Sequence, residues 1–205
     1  MVRDRIRLVL FDLGGVLVEL AGLPTPLRRL RDRLTDDEIW ARWLTSTAVR
    51  DFETGRIEPH TFALRIIDEM KLDADPDRLL KELAAWTKGL FPGALELVNS
   101  IPPQYERGIL SNCNALHWSR LVDDTGLGQA VNLCFSSHLT GKVKPDKEAF
   151  LHVIDATGYA PDEILFLDDN KLNVEAATRL GIHARQVRGI EEVRQALIEV
   201  GILHK

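Results

Sequence analysis

Near its start the chain has an almost unbroken apolar run, residues 6–11, which ends at Asp12. A run without polar alternation predicts a strand buried on both faces, as in a parallel sheet. Because ligands of open α/β sheets bind beyond the carboxyl ends of the strands, Asp12 is predicted to face a ligand crevice. Gly14 and Gly15 let the backbone turn sharply behind it. Taken alone, an Asp before such a turn is more often a turn residue than a nucleophile.

The following segment, up to about residue 88, has its apolar residues at helical spacing. Thr35 and Glu38 make the pattern of a capping box, and Asp75 before Pro76 predicts the start of a further helix. Residues 18–88 are therefore predicted to form a helical insertion.

From residue 92 onward, helical and strand patterns alternate, as they do in a parallel sheet covered on both faces. Strands are predicted at residues 106–110, 133–135, 164–167 and 183–187. Together with the first strand they give an α/β fold with a doubly wound parallel sheet of five strands, all joined by crossovers.

Polar residues follow three of these strands, and a lysine lies where the helix after another strand begins. These residues are Asp12, Ser111, Asn112, Lys144, Asp168 and Asp169. Right-handed crossovers bring all the strand ends to one edge of the sheet. Unit charges 4 Å apart repel by about 4 kcal/mol at an effective dielectric of 20, so three carboxylates there would oppose folding without a cation. An all-oxygen site rich in carboxylate suits Mg²⁺, which also binds substrate phosphate.

Composition narrows the possible partners. Lys and Arg number 26 against 31 Asp and Glu, so the net charge of −5 provides no field that attracts nucleic acid or an anionic membrane. The two cysteines, Cys113 and Cys134, are too few for a disulfide scaffold. The first residues lack the apolar core of a signal peptide, and no apolar stretch approaches about eighteen residues. We expect a cytoplasmic protein, a monomer or homodimer, with a small-molecule ligand.

Four segments together carry a family resemblance. In chain order, FDLGGVL, LSNCN, KVKP and FLDDN resemble the four motifs of the haloacid dehalogenase (HAD) superfamily, and the helical insertion after the first motif resembles the cap of its subfamily IA. The runs SNCNALHW, KPDKEAF and LDDNKLNVEAA are also similar to bacterial α-D-glucose-1-phosphate phosphatases. The resemblance covers nearly the whole chain. It implies a Rossmann-like core, residues 1–17 and 89–205, with a helical cap domain, residues 18–88.

The resemblance also implies roles for the polar residues. Asp12 corresponds to the nucleophile that accepts the phosphoryl group as an aspartyl phosphate, a covalent route that splits one displacement into two. Ser111 and Asn112 correspond to residues that hydrogen-bond the phosphoryl oxygens. Lys144 corresponds to the cation that offsets the charge on nucleophile and phosphoryl group. These roles supply the positioning and charge stabilisation on which phosphoryl transfer depends.

The implied cofactor is Mg²⁺. Its ligands by resemblance are Asp12, Asp169 and the backbone carbonyl of Gly14, with Asp168 as a second ligand or as the holder of a metal-bound water. Arg56 lies where subfamily IA caps carry a substrate-specificity loop, and is a candidate substrate contact, although a surface turn is at least as good an interpretation.

Gly14 departs from the family pattern, because most phosphatases of the superfamily have there an Asp that protonates the leaving oxygen and later activates water. Losing such an acid/base costs on the order of 10²- to 10⁴-fold in rate. The substrate can have a better leaving group, as in an anomeric sugar phosphate or an acyl phosphate. Alternatively, Glu19, Glu53, His117 or a metal-bound water substitutes. A third explanation is dehalogenation, in which a halide departs without a proton.

Three functions therefore compete. A Mg²⁺-dependent phosphatase acting on a small phosphorylated metabolite such as a sugar phosphate is favoured because Asp168 and Asp169 are both kept, whereas the metal-independent 2-haloacid dehalogenases usually lack this acidic pair. A non-catalytic phosphate-binding regulatory protein is the remaining alternative. The arginines at 28, 29, 31 and 33 are interpreted as a solvated helix face rather than as a guide for an anionic substrate.

Overall fold

The structure, a computed structural model, describes residues 5–23 and 25–204. The first four residues, which bear on the signal-peptide expectation, and the outer limits of the predicted core domain at 1 and 205 lie outside the described residues. Among the residues described, no helix has both the length and the apolar character needed to cross a membrane.

All five predicted strands are confirmed, and two short strands are added. The strands are β1 (Leu8–Phe11), β2 (Val18–Leu20), β3 (Thr87–Leu90), β4 (Glu106–Ser111), β5 (Leu133–Ser136), β6 (Ile164–Asp168) and β7 (His183–Gln186). Five of them form a parallel sheet in the order β5-β4-β1-β6-β7. The chain thus builds one half of the sheet on one side of β1 and then crosses to the other side. The carboxyl end of β1 is the topological switch point at which such sheets bind ligands.

The burial of β1 fixes its place at the centre of the sheet. Leu8 and Leu10 pack into the apolar cluster on one face, whereas Val9 and Phe11 pack into the cluster on the other. All four side chains have no exposed surface. Because burying a side chain of this kind contributes about 1.5–3 kcal/mol, a shift of β1 by one residue would be costly. The fixed register of β1 therefore also fixes the position of the next residue, Asp12.

The helices agree with the start signals in the sequence. Thr35 caps the second helix with the complete capping box to Glu38, and the Asp75 side chain caps the helix that begins at Pro76. The helices are α1 (Thr25–Arg28), α2 (Asp36–Thr45), α3 (Thr47–Glu53), α4 (Pro59–Met70), α5 (Pro76–Ala84), α6 (Ala94–Asn99), α7 (Ala115–Trp118), α8 (Leu127–Ala130), α9 (Ser137–Thr140), α10 (Lys147–Thr157), α11 (Lys171–Arg179) and α12 (Gly189–Glu199). Short 3₁₀ turns lie at Arg29–Asp32 and Pro161–Glu163, and a π-helical turn lies at Ser119–Asp123.

The segment 18–88, called the cap segment below, is not helical throughout. Its two ends form β2 and β3, which pair antiparallel where the chain leaves and re-enters the sheet domain. In this way the N–H and C=O groups of the two strands form hydrogen bonds with each other. Strands of three and four residues are too short for their alternation to be recognised beside long helical patterns. The sequence analysis predicted a helical insertion and did not include these two short strands at its ends.

The helices of the cap segment have an apolar cluster of their own and lie over the carboxyl edge of the sheet. Their cluster runs from Leu23 to Leu83 and is distinct from the two clusters that flank the sheet. Arg50 of α3 pairs with Asp146 just before α10, and His117 Nε2 lies 2.7 Å from the Leu83 carbonyl oxygen. These contacts enclose the space between the cap segment and the strand ends.

Candidate active site

The turns after β1 and β6 bring three carboxylates together. Asp12, Asp168 and Asp169 each have a carboxylate oxygen within 4.8 Å of the others. The Asp12 backbone N–H donates to the Leu167 carbonyl 2.9 Å away, which continues the pairing of β1 with β6 past the end of the strand. The predicted convergence of these residues at one edge of the sheet is confirmed.

Lys144 lies among these carboxylates, fully inside the protein. Its Nζ donates to Asp12 Oδ1 at 2.8 Å and to Asp168 Oδ2 at 2.6 Å. The Asn112 side chain holds the backbone of this lysine, accepting from the Lys144 N–H at 2.8 Å and donating to its carbonyl at 2.9 Å. The Asn112 side chain therefore positions Lys144 and has a second amide hydrogen that these two bonds do not use.

Asp168 is completely buried, and both of its oxygens are engaged. Besides Lys144, it accepts from Asn173 Nδ2 at 3.0 Å on each oxygen and from the Asn170 N–H at 2.8 Å. A carboxylate bound on all sides in this way fixes Lys144 in place. Asp12 and Asp169 are consequently the carboxylates of the cluster that remain available to a ligand.

Gly14 and Gly15, the two glycines after Asp12, differ in how much room each has for a side chain. Gly15 has a φ of +72°, and a Cβ at this position would lie 2.6 Å from Asp169 Oδ2. Gly14 lies outside the left-handed region, and a Cβ there would meet Leu20 Cδ1 at an ordinary 3.4 Å. Gly15 is thus required by the close approach of Asp169, whereas the space at Gly14 would accept a side chain.

The cluster carries more negative charge than Lys144 balances. Burial raises the pKa of Asp12, and Asp168 adds to this, although Lys144 opposes it. Burial together with Asp12 and Asp168 raises the pKa of Asp169 to about 6. Burial alone would lower the pKa of Lys144, but the two carboxylates it contacts raise it above the usual range. A further cation beside Asp12 and Asp169 would favour their ionised forms. The donor set, two carboxylates and nearby backbone oxygens, fits Mg²⁺.

A cavity of about 580 Å³ extends from this cluster to the cap segment. Its residues on the sheet side include Gly14, Ser111, Asn112 and Asp169. The cap segment and the β2–β3 pair contribute mainly apolar residues, namely Leu20, Trp40, Trp43, Leu44 and Trp86, together with the carboxylate of Glu53. This volume and its mixture of apolar walls and convergent polar groups are typical of a small-molecule site.

Glu53 is the acidic residue that the cap segment places at this cavity. Burial raises the pKa of Glu53 to about 7, and Asp12 adds to the effect, while Lys144 and Arg50 oppose it. Only burial and these charges act on it, because no hydrogen bond to its carboxylate is found among the described residues. Glu53 is therefore a carboxyl group poised to hold or release a proton near neutral pH.

The other candidates for an acid/base are placed less suitably. Glu19 lies on β2 and pairs with Lys88 outside the cavity lining. His117 lines the cavity, but its Nε2 is committed to the Leu83 carbonyl, and burial lowers the pKa of His117.

The arginine candidates lie away from the cavity, and the cysteine beside Asn112 lines it. Arg56 pairs with Asp51 at 3.5 Å, is 60% exposed, and does not contribute to the lining. The arginines at 28, 29, 31 and 33 all contact polar groups of the cap segment itself. Cys113 lines the cavity, but burial raises the pKa of its thiol to about 12, as is typical of a buried cysteine without a catalytic role.

The tryptophans at 40, 43 and 86 line the cavity, and the sequence analysis did not single them out as site residues. The signal available was that three of the four tryptophans fall between residues 40 and 86. Periodicity cannot separate a helix face that packs on a core from one that faces a ligand.

Curated proteins that are similar to this chain include phosphatases and other hydrolases. Flavin mononucleotide hydrolase 1 of Arabidopsis thaliana is 27% identical over 154 residues, 74% of this chain, which span 61% of that protein. The GMP/IMP nucleotidase YrfG of Escherichia coli is 28% identical over 85% of this chain and 79% of its own length. The (S)-2-haloacid dehalogenase 4A of Burkholderia cepacia is 25% identical over 90% of this chain and 84% of its own. None of these is a glucose-1-phosphate phosphatase, so that finer resemblance stays a prediction.

The fold is shared with solved structures of the superfamily. A HAD family enzyme of Bacteroides thetaiotaomicron, in complex with magnesium and inorganic phosphate, superposes with a TM-score of 0.71 at 23% identity, covering 89% of this chain and 94% of that one. The sequence model of the haloacid dehalogenase-like hydrolases matches residues 6–181, which contain the acidic cluster, Lys144 and the cap segment. The chain belongs to the haloacid dehalogenase-like hydrolase family.

Proposed function

We propose that this hydrolase is a Mg²⁺-dependent phosphatase that cleaves a small phosphorylated metabolite through an aspartyl phosphate on Asp12. The observation that carries the proposal is the position of Asp12 at the switch point of the sheet, with Lys144 bound to one of its oxygens at 2.8 Å. The nucleotidase and flavin mononucleotide hydrolase relatives support a phosphomonoester substrate.

In the first step, an Asp12 oxygen forms a bond to phosphorus while the bond from phosphorus to the leaving oxygen breaks. Lys144, held by Asn112 and Asp168, offsets the charge of the nucleophile and of the phosphoryl group. The Ser111 hydroxyl, whose hydrogen bond to Asp12 opposes the rise in the pKa of that carboxyl group, is placed to donate to the phosphoryl group. In the second step, water attacks phosphorus, phosphate leaves and the Asp12 carboxylate is regenerated.

Asp12, Asp169 and the Gly14 carbonyl are the groups that we propose hold Mg²⁺, with Asp168 holding Lys144 beside them. When bound, Mg²⁺ neutralises charge on the phosphoryl oxygens during transfer. The raised pKa values of Asp12 and Asp169 support this cofactor, and the magnesium and phosphate complex of the Bacteroides protein agrees with it.

Glu53 is the proposed substitute for the acid that Gly14 lacks. A protonated Glu53 gives its proton to the leaving oxygen in the first step, and the resulting carboxylate accepts a proton from water in the second. Its place at the cavity, the absence of a hydrogen bond to its carboxylate among the described residues and a pKa of about 7 support this role. With a proton donor present, the substrate needs no activated leaving group. The expectation of an anomeric sugar phosphate loses its main physical reason and stays untested.

The testing experiment measures phosphate release from a panel of phosphorylated metabolites, in Mg²⁺ and in EDTA, with the Asp12→Asn variant and an exposed control, Asp124→Asn. We expect release that requires both Mg²⁺ and Asp12. Halide release from a 2-haloacid in EDTA would instead support the dehalogenase alternative, for which the Burkholderia relative is the supporting observation. Binding of phosphorylated ligands without turnover of any would support a regulatory protein. A cytoplasmic location and a monomeric or homodimeric state remain part of the proposal.

A further inference from the structure

The cavity is much larger and more apolar than a phosphoryl group requires. Its polar end at Asp169, Ser111 and Asn112 suffices for the phosphate, and the remainder of the 580 Å³ adjoins the tryptophans and leucines of the cap segment and β2. Leu44 at this wall is 66% exposed. A large apolar surface left open beside a reaction site indicates that a ligand covers it.

The tryptophans of this wall are held in defined orientations. The rings of Trp40 and Trp86 have centroids 5.7 Å apart and a tilt of 32°, and Trp43 meets Trp86 edge-on at 6.3 Å. Trp86 also donates its indole N–H to the Gly22 carbonyl and lies 6.2 Å from the His117 ring. Neighbours that fix an aromatic ring in this way lower the entropy cost of stacking a ligand on it.

Packing of the cap segment does not account for all of these rings. Trp43 is buried and belongs to the apolar cluster of the cap segment, so its role there is structural. Trp40 and Trp86 are only partly buried, and both face the cavity. Their open ring surface is available to a flat group whose other end reaches Asp12.

From this arrangement we propose that Trp40 and Trp86 form a stacking site for a planar aromatic group on the leaving side of the substrate, so that the enzyme selects phosphomonoesters such as nucleoside 5′-monophosphates. The inference rests on the proposed phosphatase function and names its substrate class. Stacking on tryptophan explains preference for an aromatic ring without requiring a particular base, since each base has a π-face.

The test compares two ligands with the same 5′-phosphate, adenosine 5′-monophosphate and ribose 5-phosphate. Their dissociation constants are measured by calorimetry with Mg²⁺ and the Asp12→Asn variant, which keeps the cavity but not turnover. Because base stacking on an aromatic side chain is worth a factor of about 5 to 150, we expect the nucleotide to bind more tightly by a factor in this range. Equal dissociation constants would overturn the stacking site.

Substitutions added to the Asp12→Asn variant test whether Trp40 is responsible for the tighter binding of the nucleotide. Trp40→Leu keeps apolar bulk without the aromatic face and is expected to weaken nucleotide binding at least about 5-fold, with ribose 5-phosphate unchanged. Trp40→Phe should retain most of the preference. Trp118→Leu is the matched control, since Trp118 packs near His138 and does not line the cavity. Equal weakening of both ligands by Trp40→Leu would contradict the proposal.

These measurements separate the two proposals. If the wild-type protein releases phosphate from no substrate, the phosphatase proposal fails, but the ratio of the two dissociation constants still decides the stacking site. If it releases phosphate from many substrates and the two ligands bind equally, only the stacking site fails.

Discussion

Replacing Glu53 with Gln removes an ionisable proton while keeping the shape of the side chain, and it should affect catalysis and stability in opposite directions. A general acid contributes on the order of 10²- to 10⁴-fold to the rate when the leaving group is a poor one. We therefore expect kcat to fall by this factor for a primary alkyl phosphate. For p-nitrophenyl phosphate, whose phenolate leaves without a proton, the fall should be at most a few-fold.

The magnitude for stability follows from the pKa of Glu53. Raising this pKa from the ordinary 4.5 to about 7 means that the folded protein binds the proton more tightly than the unfolded chain. Folding free energy is therefore lost as pH rises from about 4.5 to 7, by up to about 3 kcal/mol at 1.36 kcal/mol per pKa unit. Solvent screening at the cavity makes this an upper bound. The Glu53→Gln variant cannot ionise at this position and does not lose this folding free energy. It should therefore be more stable than wild type at pH 8 and similarly stable at pH 4.5.

The assays are steady-state kinetics with both substrates and thermal melts at pH 4.5 and 8. For a chain of this size, 1 kcal/mol shifts Tm by about 2–4 °C. Glu19→Gln is the matched control, because Glu19 is a partly exposed glutamate paired with Lys88 outside the cavity lining, and it should change neither the substrate ratio nor the pH dependence. Equal loss of kcat on both substrates would refute the role of Glu53 as the acid.

Three further predictions concern the loop after Asp12 and the metal. Gly14→Asp should restore turnover of the alkyl phosphate in the Glu53→Gln background, because the new carboxyl group can protonate the leaving oxygen and a Cβ at this position meets Leu20 at an ordinary 3.4 Å. Steady-state rates that show no rescue would contradict this. Gly15→Ala should lower the free energy of unfolding by about 1–3 kcal/mol in urea titrations, because its φ is +72° and its Cβ would lie 2.6 Å from Asp169, whereas Gly14→Ala should be nearly neutral. Mg²⁺ affinity measured by calorimetry should fall as pH drops below about 6, because protons then compete for Asp169; an affinity that stays constant from pH 8 to 5 would contradict this.

The sheet and its polar edge were predictable because they depend on local patterns. The buried run before Asp12 and the run before Asp168 each required a strand between two layers, and the handedness of crossovers then placed both carboxylates at one edge. Lys144 was predictable for the same reason. The structure adds that both Asp168 oxygens are occupied by Lys144, Asn170 and Asn173, a detail that depends on side-chain packing.

The part of the site that comes from the cap segment could not be predicted in the same way. Glu53 was one of several candidates in the sequence, and Trp40 and Trp86 were not singled out, because their relation to Asp12 depends on how the cap segment docks on the sheet. That docking is decided by contacts such as Arg50 with Asp146, which are distant in sequence. The strands β2 and β3 were missed because they are only three and four residues long.

Detecting the phosphorylated form of Asp12 would test the proposed nucleophile directly. During turnover with Mg²⁺ the enzyme is quenched rapidly, reduced with borohydride, which converts an aspartyl phosphate to homoserine, and digested for mass spectrometry. Covalent catalysis by Asp12 predicts homoserine at position 12 in the wild type and none at that position in Asp12→Asn. Turnover without any modification at position 12, or with modification at a different carboxylate, would contradict it.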